Sequence, residues 1–244
     1  MKPRLALCLT ALALAACSPK PEAEGVSTGV AEKRMPLPDC SKAETQDQGA
    51  DGWKHPDCRL MLSDKSGLAV EARYSPAEDD STKLTVQVTA AGDATLQTIE
   101  ETMGNTLAGI STQDVDNDGR EDLLLPLETG NVNTTWAVWR QNEDGAGFSR
   151  IGEPSGVEIK NTQSGYIAVP ARSSASEWAI AFFKMQGELK AILTANVVAK
   201  GETDKITGVD CAIMDDGGLG STGLTAEAAK AQFCAEPVVG DIFK

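Results

Sequence analysis

The sequence predicts a mainly β protein: an antiparallel sandwich or barrel-like single domain with a short C-terminal helix. Short runs of alternating, β-branched character recur along the chain between turn residues, as half-buried strands do. Only one segment has a helical composition. Four of the six cysteines lie in two groups at either end of the body, where they can brace a β domain in an oxidising compartment.

In chain order, Met1-Lys2-Pro3-Arg4 is a basic head, and residues 5–16 form an apolar stretch too short to span a bilayer as a helix. This reads as a secretion signal. Leu14-Ala15-Ala16-Cys17 resembles the lipobox of bacterial lipoproteins, in which the signal is cut before the cysteine and the sulfur is acylated. The resemblance implies lipidation at Cys17. With Ser18 in place of the Asp that marks inner-membrane retention in that family, it also implies an outer-membrane address, facing the periplasm. Acyl chains at roughly 0.8 kcal/mol per buried methylene anchor a protein without a membrane helix. Residues 18–38 are rich in Pro, Glu, Gly and Ser and lack an apolar period, which predicts a flexible tether. The expected organisation is a signal peptide at 1–16, the lipidated cysteine and tether at 17–38, and a β-rich domain at 39–244.

Within the body, strands are expected at 68–74, 84–88, 95–99, 123–127, 135–140, 148–151, 157–160, 166–169, 178–185, 189–198 and 206–214. Asp144-Gly145 and Gln186-Gly187 sit between apolar runs as hairpin turns do. Residues 225–234 predict a helix, with Thr225 as its cap and Glu227 near the positive end of the dipole. Cys8 lies in the signal, leaving Cys40, Cys58, Cys211 and Cys234. Three pairings are possible. Local bridges, Cys40–Cys58 and Cys211–Cys234, are expected because each pair sits at one end of the body. The spacing lacks any C-x-x-C, and a single histidine argues against zinc.

The chain carries 22 basic and 36 acidic residues, a net charge of −14. Such a surface disfavours nucleic acid and suits cations or basic proteins.

The densest chemistry is Asp114-Val-Asp116-Asn-Asp118-Gly119-Arg120-Glu-Asp122, a D-x-D-x-D-G-x-x-D spacing. Alternate carboxylates can converge on one hard cation only if the backbone wraps around it, and Gly119 permits the turn. Leu125 stands where an EF-hand places its bidentate Glu, and Pro126 excludes a continuous exit helix. The loop resembles that of FG-GAP/VCBS-like repeats, in which such a loop leads into a buried strand. The resemblance implies calcium, with Asp114, Asp116, Asp118 and Asp122 as side-chain ligands and Arg120 as a backbone ligand whose guanidinium points outward. The pattern occurs once, which argues against a propeller of repeated blades.

Catalytic signatures are sparse. His55 is the only histidine and is expected in a surface loop; there is no G-x-S-x-G, and residues 217–223 are glycine-rich without the Lys of a P-loop. Trp136 and Trp139 are read as core or sheet-face aromatics. The expectation is therefore a non-catalytic envelope lipoprotein, not an enzyme, that binds calcium and an unidentified protein partner. Two alternatives are carried. Ser164-Gly165-Tyr166 falls one residue short of the Ser-Gly-x-Tyr loop of periplasmic lysozyme inhibitors, which it resembles. A calcium-dependent carbohydrate hydrolase would need two carboxylates across a cleft lined by Trp136, Trp139 or Trp178.

Overall fold

A computed structural model describes residues 36–49, 52–90, 94–202, 205–215 and 217–244. The expected signal peptide, Cys17 and the tether as far as residue 35 lie outside the described residues.

The domain is mainly β and antiparallel, built from three up-and-down meanders in sequence order. A two-stranded hairpin, β1 (Gln46–Asp47) and β2 (Trp53–Lys54), precedes them. The first meander comprises β3 (Cys58–Met61), β4 (Ala69–Pro76), β5 (Thr82–Thr89) and β6 (Thr95–Met103). The second holds β7 (Ser111–Gln113), β8 (Asp122–Thr129), β9 (Thr134–Gln141) and β10 (Phe148–Gly152), with β11 (Ser155–Gly156) also on β9. In the third are β12 (Lys160–Asn161), β13 (Ile167–Arg172), β14 (Glu177–Met185), β15 (Leu189–Glu202) and β16 (Lys205–Asp215). Two helices follow, α1 (Ala226–Phe233) and α2 (Pro237–Asp241).

Alternation explains the layering, because neighbouring residues on a strand face opposite ways. On β8 and β9, Leu123, Leu125 and Ala137 join Val70, Val86 and Ile99 of the first meander in one core. Leu124, Trp136 and Val138 point the other way, into a second core with Ile167 and Val169 of the third meander. The opposite face of the third meander, with Ala168, Ile180 and Phe182, packs against Ala229 and Phe233 of α1 and Val239 of α2. The second meander is thus covered on both faces. That accounts for the nearly continuous apolar run of β8, a pattern otherwise typical of sheets buried on both sides. Among the described residues no sheet closes on itself, so of the expected sandwich or barrel-like forms it is the stacked one that is present, with cores between the meanders.

Most expected strands are present with slightly longer bounds. Gly145 (φ 67°) and Gly187 (φ 80°) make the two expected hairpin turns in the left-handed region that glycine occupies without steric cost. The strand expected at 157–160 does not form: only Lys160 is in a strand, and the stretch from 155 to 161 holds two short ones instead. Its residues change partner: β11 pairs with β9, the Val157 N–H donates to Pro170 O at 2.7 Å, and β12 pairs with β13. One short segment therefore links two sheets, which a continuous strand could not do. The short β1, β2, β3 and β7 and the five-residue α2 carry no periodic signal and were not expected.

Both local disulfides form, Cys40–Cys58 and Cys211–Cys234, closing loops of 18 and 23 residues. Each is worth on the order of 3 kcal/mol through the unfolded chain. The second fastens the end of α1 to β16. Thr225 caps α1 as expected, its hydroxyl accepting from the Ala228 N–H at 3.2 Å.

His55 departs from the expected surface loop. It follows β2 in a loop, but only 8% of it is exposed, stacked on Tyr74 with ring centres 5.0 Å apart. Nε2–H donates to the Thr106 carbonyl at 2.8 Å, and Nδ1 lies 3.3 Å from the Thr45 hydroxyl. Burial pulls the imidazole pKa below its ordinary value, against the opposing pull of the Thr106 carbonyl. A base whose folded pKa is lowered contributes stability that is complete above its unfolded pKa of about 6.5 and is lost as pH falls through the window beneath it. Other buried groups titrate in the same window, so the test is a difference: as pH falls from about 7 to 5 in thermal melts, the protein should lose stability relative to His55→Gln. An equal pH dependence in both proteins would contradict the buried neutral imidazole.

Candidate metal centre

Residues 114–121 connect β7 to β8, whose ends pair at Gln113 and Asp122. The loop folds around its own carboxylates. Asp114 accepts the Asp118 N–H on Oδ1 at 3.0 Å and the Gly119 N–H on Oδ2 at 2.9 Å. Asn117 (φ 60°) and Gly119 (φ 86°) take the left-handed backbone that this turn needs; Asn tolerates it better than most residues. Asp122 is fully buried. Its Oδ2 accepts the Val115 N–H at 3.0 Å and its Oδ1 the Gln141 N–H at 2.9 Å, so it joins the loop entrance to the end of β9.

Each meander also reaches the loop. From the third, Asn161 Nδ2 donates to the Asp114 carbonyl at 3.0 Å. From the first, Ser63 donates its N–H and hydroxyl to Glu121 at 2.5 and 2.8 Å, and Asp64 accepts the Glu121 N–H at 2.9 Å. From β9, Arg140 places Nε 2.5 Å from Asp116 Oδ2 and Nη2 2.7 Å from Asp118 Oδ2.

Three of the four expected carboxylate ligands converge: Asp114, Asp116 and Asp122 offer oxygens within 4.8 Å of one another. That separation is about twice a calcium–oxygen distance of 2.3–2.6 Å, so one ion can touch all three. The Asp116 side chain is only 6% exposed, and its Oδ1 is buried without a hydrogen-bond partner. A buried carboxylate oxygen left unpaired is costly unless something positive meets it. The donor set is entirely hard oxygen, which fits calcium.

Two expectations change here. Asp118 is not in the converging group; its carboxylate is occupied by the Arg120 N–H and by the guanidinium groups of Arg120 (2.5 Å) and Arg140. Correspondingly, the Arg120 guanidinium does not point freely outward but folds back onto Asp118. Arg140 was missed, because nothing in the sequence marks it. Only the β8–β9 register, Leu123 opposite Trp139, brings it to the loop.

Burial pushes the Asp122 carboxyl pKa up to about 7. Its two backbone N–H bonds pull the other way, and the charges of Asp116 and Asp118 add to the rise. The site is therefore a crowded anionic cluster balanced in part by two arginines.

The other candidates fold inward. Ser164 gives its N–H (3.1 Å) and its hydroxyl to Glu236, and Tyr166 is buried edge-on against Phe233 at 4.8 Å. Trp136 is in the core, and Trp139 Nε1 donates to Glu101 at 2.9 Å. Trp178 packs against Phe243. A wide groove of about 630 Å³ runs past Trp53, His55, Tyr74 and Asn105. Both ring nitrogens of its histidine already have partners.

Compared with protein-family models, curated proteins and solved structures, the chain matches none.

Removing the Asp122 carboxylate should leave the buried Val115 and Gln141 N–H groups unpaired. Asp122→Ala is expected to cost about 2–4 kcal/mol in urea unfolding, and Asp122→Asn, which keeps one acceptor, less. Equal stabilities for the three proteins would refute that role.

Proposed function

We propose that this protein is a calcium-stapled, non-catalytic β domain of an envelope lipoprotein, which works by binding another protein. The reading places it at the outer membrane, held by lipid on Cys17 and facing the periplasm. The observation that carries it is the convergence of Asp114, Asp116 and Asp122 around a buried, unpaired Asp116 oxygen. A bound calcium ion would supply the positive charge that the arginines leave incomplete. The chain's own residues do the rest: Asp114 and Asp122 hold the loop in shape through backbone N–H groups, and Asn161, Ser63 and Asp64 fix it to the neighbouring meanders.

Calcium would therefore act on the whole stack, since binding to the folded form alone stabilises it by mass action. The net charge of −14 favours a basic partner. The lysozyme-inhibitor version draws on Ser164-Gly165-Tyr166, where the Ser164 hydroxyl is bound to Glu236 and the Tyr166 ring is buried against Phe233, so the wider binding reading is preferred.

With extracellular-type affinities near 10⁻⁴–10⁻³ M, about 10 mM calcium should stabilise the protein by roughly 1.4–2.7 kcal/mol. Melting should rise with calcium and return to the starting value with a chelator. Asp116→Asn should abolish the rise, whereas Asp118→Asn should keep most of it. Melting that ignores calcium would sink the staple.

Lipid anchoring has its own test. Cys17→Ser should move the protein from the membrane fraction to the soluble fraction of an expressing cell; unchanged membrane retention would exclude an anchor at Cys17.

A further inference from the structure

Beside the carboxylate cluster lies a small chamber of about 140 Å³, and Asp116 belongs to both. Its walls include Asn117, Asn161 and Thr162, neutral groups that can donate or accept hydrogen bonds. Tyr166 and Met185 supply an apolar floor. Asn117 and Asn161 are exposed, so the mouth faces solvent.

Calcium takes six to eight oxygens; three carboxylates binding through one oxygen each, with the Arg120 carbonyl expected from the sequence, leave about two to four positions. The loop offers no fourth side-chain carboxylate, because Asp118 is held by arginines. Open coordination positions next to a solvent-accessible chamber describe a cation that can take an outside ligand.

Resting on the calcium reading, we propose that the chamber is the seat of a saccharide, whose vicinal hydroxyls occupy the open positions of the ion. The charge balance selects a neutral ligand. Among the described residues no lysine or arginine lines the chamber, and the ion's two charges together with Arg120 and Arg140 only balance the four aspartates, so no surplus positive charge is left to hold an anion. Volume selects the edge of one sugar ring: at about 30 Å³ per water, the space equals four or five waters. The wall matches as well, with the Asn117 amide, the Asn161 side-chain oxygen and the Thr162 hydroxyl for sugar hydroxyls, and an aromatic and a thioether for the C–H face.

Terbium replaces calcium in the test, on the full chain, with excitation of nearby aromatic residues. Emission lifetimes in water and deuterated water count the waters on the ion. About two or more are expected, and methyl α-mannoside, which carries a cis diol, should remove about two of them. Acetate should remove none. Asn117→Gly keeps the left-handed backbone and loses the amide; it should retain terbium but bind mannoside at least about tenfold more weakly. Terbium bound without waters, waters that stay in place in concentrated mannoside, or displacement by acetate alone would overturn the saccharide seat and leave the calcium reading standing. Absence of terbium binding would remove both.

Discussion

Everything in this domain depends on one strand having no side that faces water. β8 is covered above by the first meander and below by the third, so Leu123, Leu124 and Leu125 all lie in cores. Such a strand must enter the protein from a polar loop, and the place where it does so is Asp122. Burying a carboxylate there costs free energy that hydrogen bonds must offset. The Val115 and Gln141 N–H groups do so, and in doing so they fix the loop to the sheet and the sheet to its neighbour.

The same position sets the electrostatics. Because Asp122 cannot reach water, the other aspartates of the loop must be neutralised from within or by an ion. Arg140 and Arg120 claim Asp118 and one oxygen of Asp116. The remainder is a three-carboxylate mouth with one unsatisfied oxygen. Metal loop and arginine clasp are here a single structure, with the cation and the guanidinium groups dividing the negative charge between them.

The strands were legible in the sequence because period-two alternation is a local property, and the helix because Thr225 and the Ala-rich run following it are local as well. Which sheets would stack was not legible. Leu123 and Leu124 read alike as apolar residues, and only tertiary packing sends them to different cores. The loop's aspartates were conspicuous for the same local reason, yet Asp118 could not be separated from its neighbours without Arg140, which lies 22 residues away and arrives through strand register. His55 taught the converse lesson. A polar residue in a loop reads as exposed until Tyr74 and Thr106 close over it.

The Cys40–Cys58 bridge has a mechanical consequence. The residues that enter the body are joined to β3 twice over: by the disulfide, and by a parallel bridge between Asp39 and Arg59 in which the Arg59 N–H donates to Pro38 O at 2.8 Å. Tension on the segment before residue 38 is therefore handed to β3 through a covalent link. The load thus enters the meander at Cys58, the first residue of its outermost strand. A pull from the N-terminal side cannot lengthen the chain between the two cysteines, so the loop they close adds no slack before the meander bears the load.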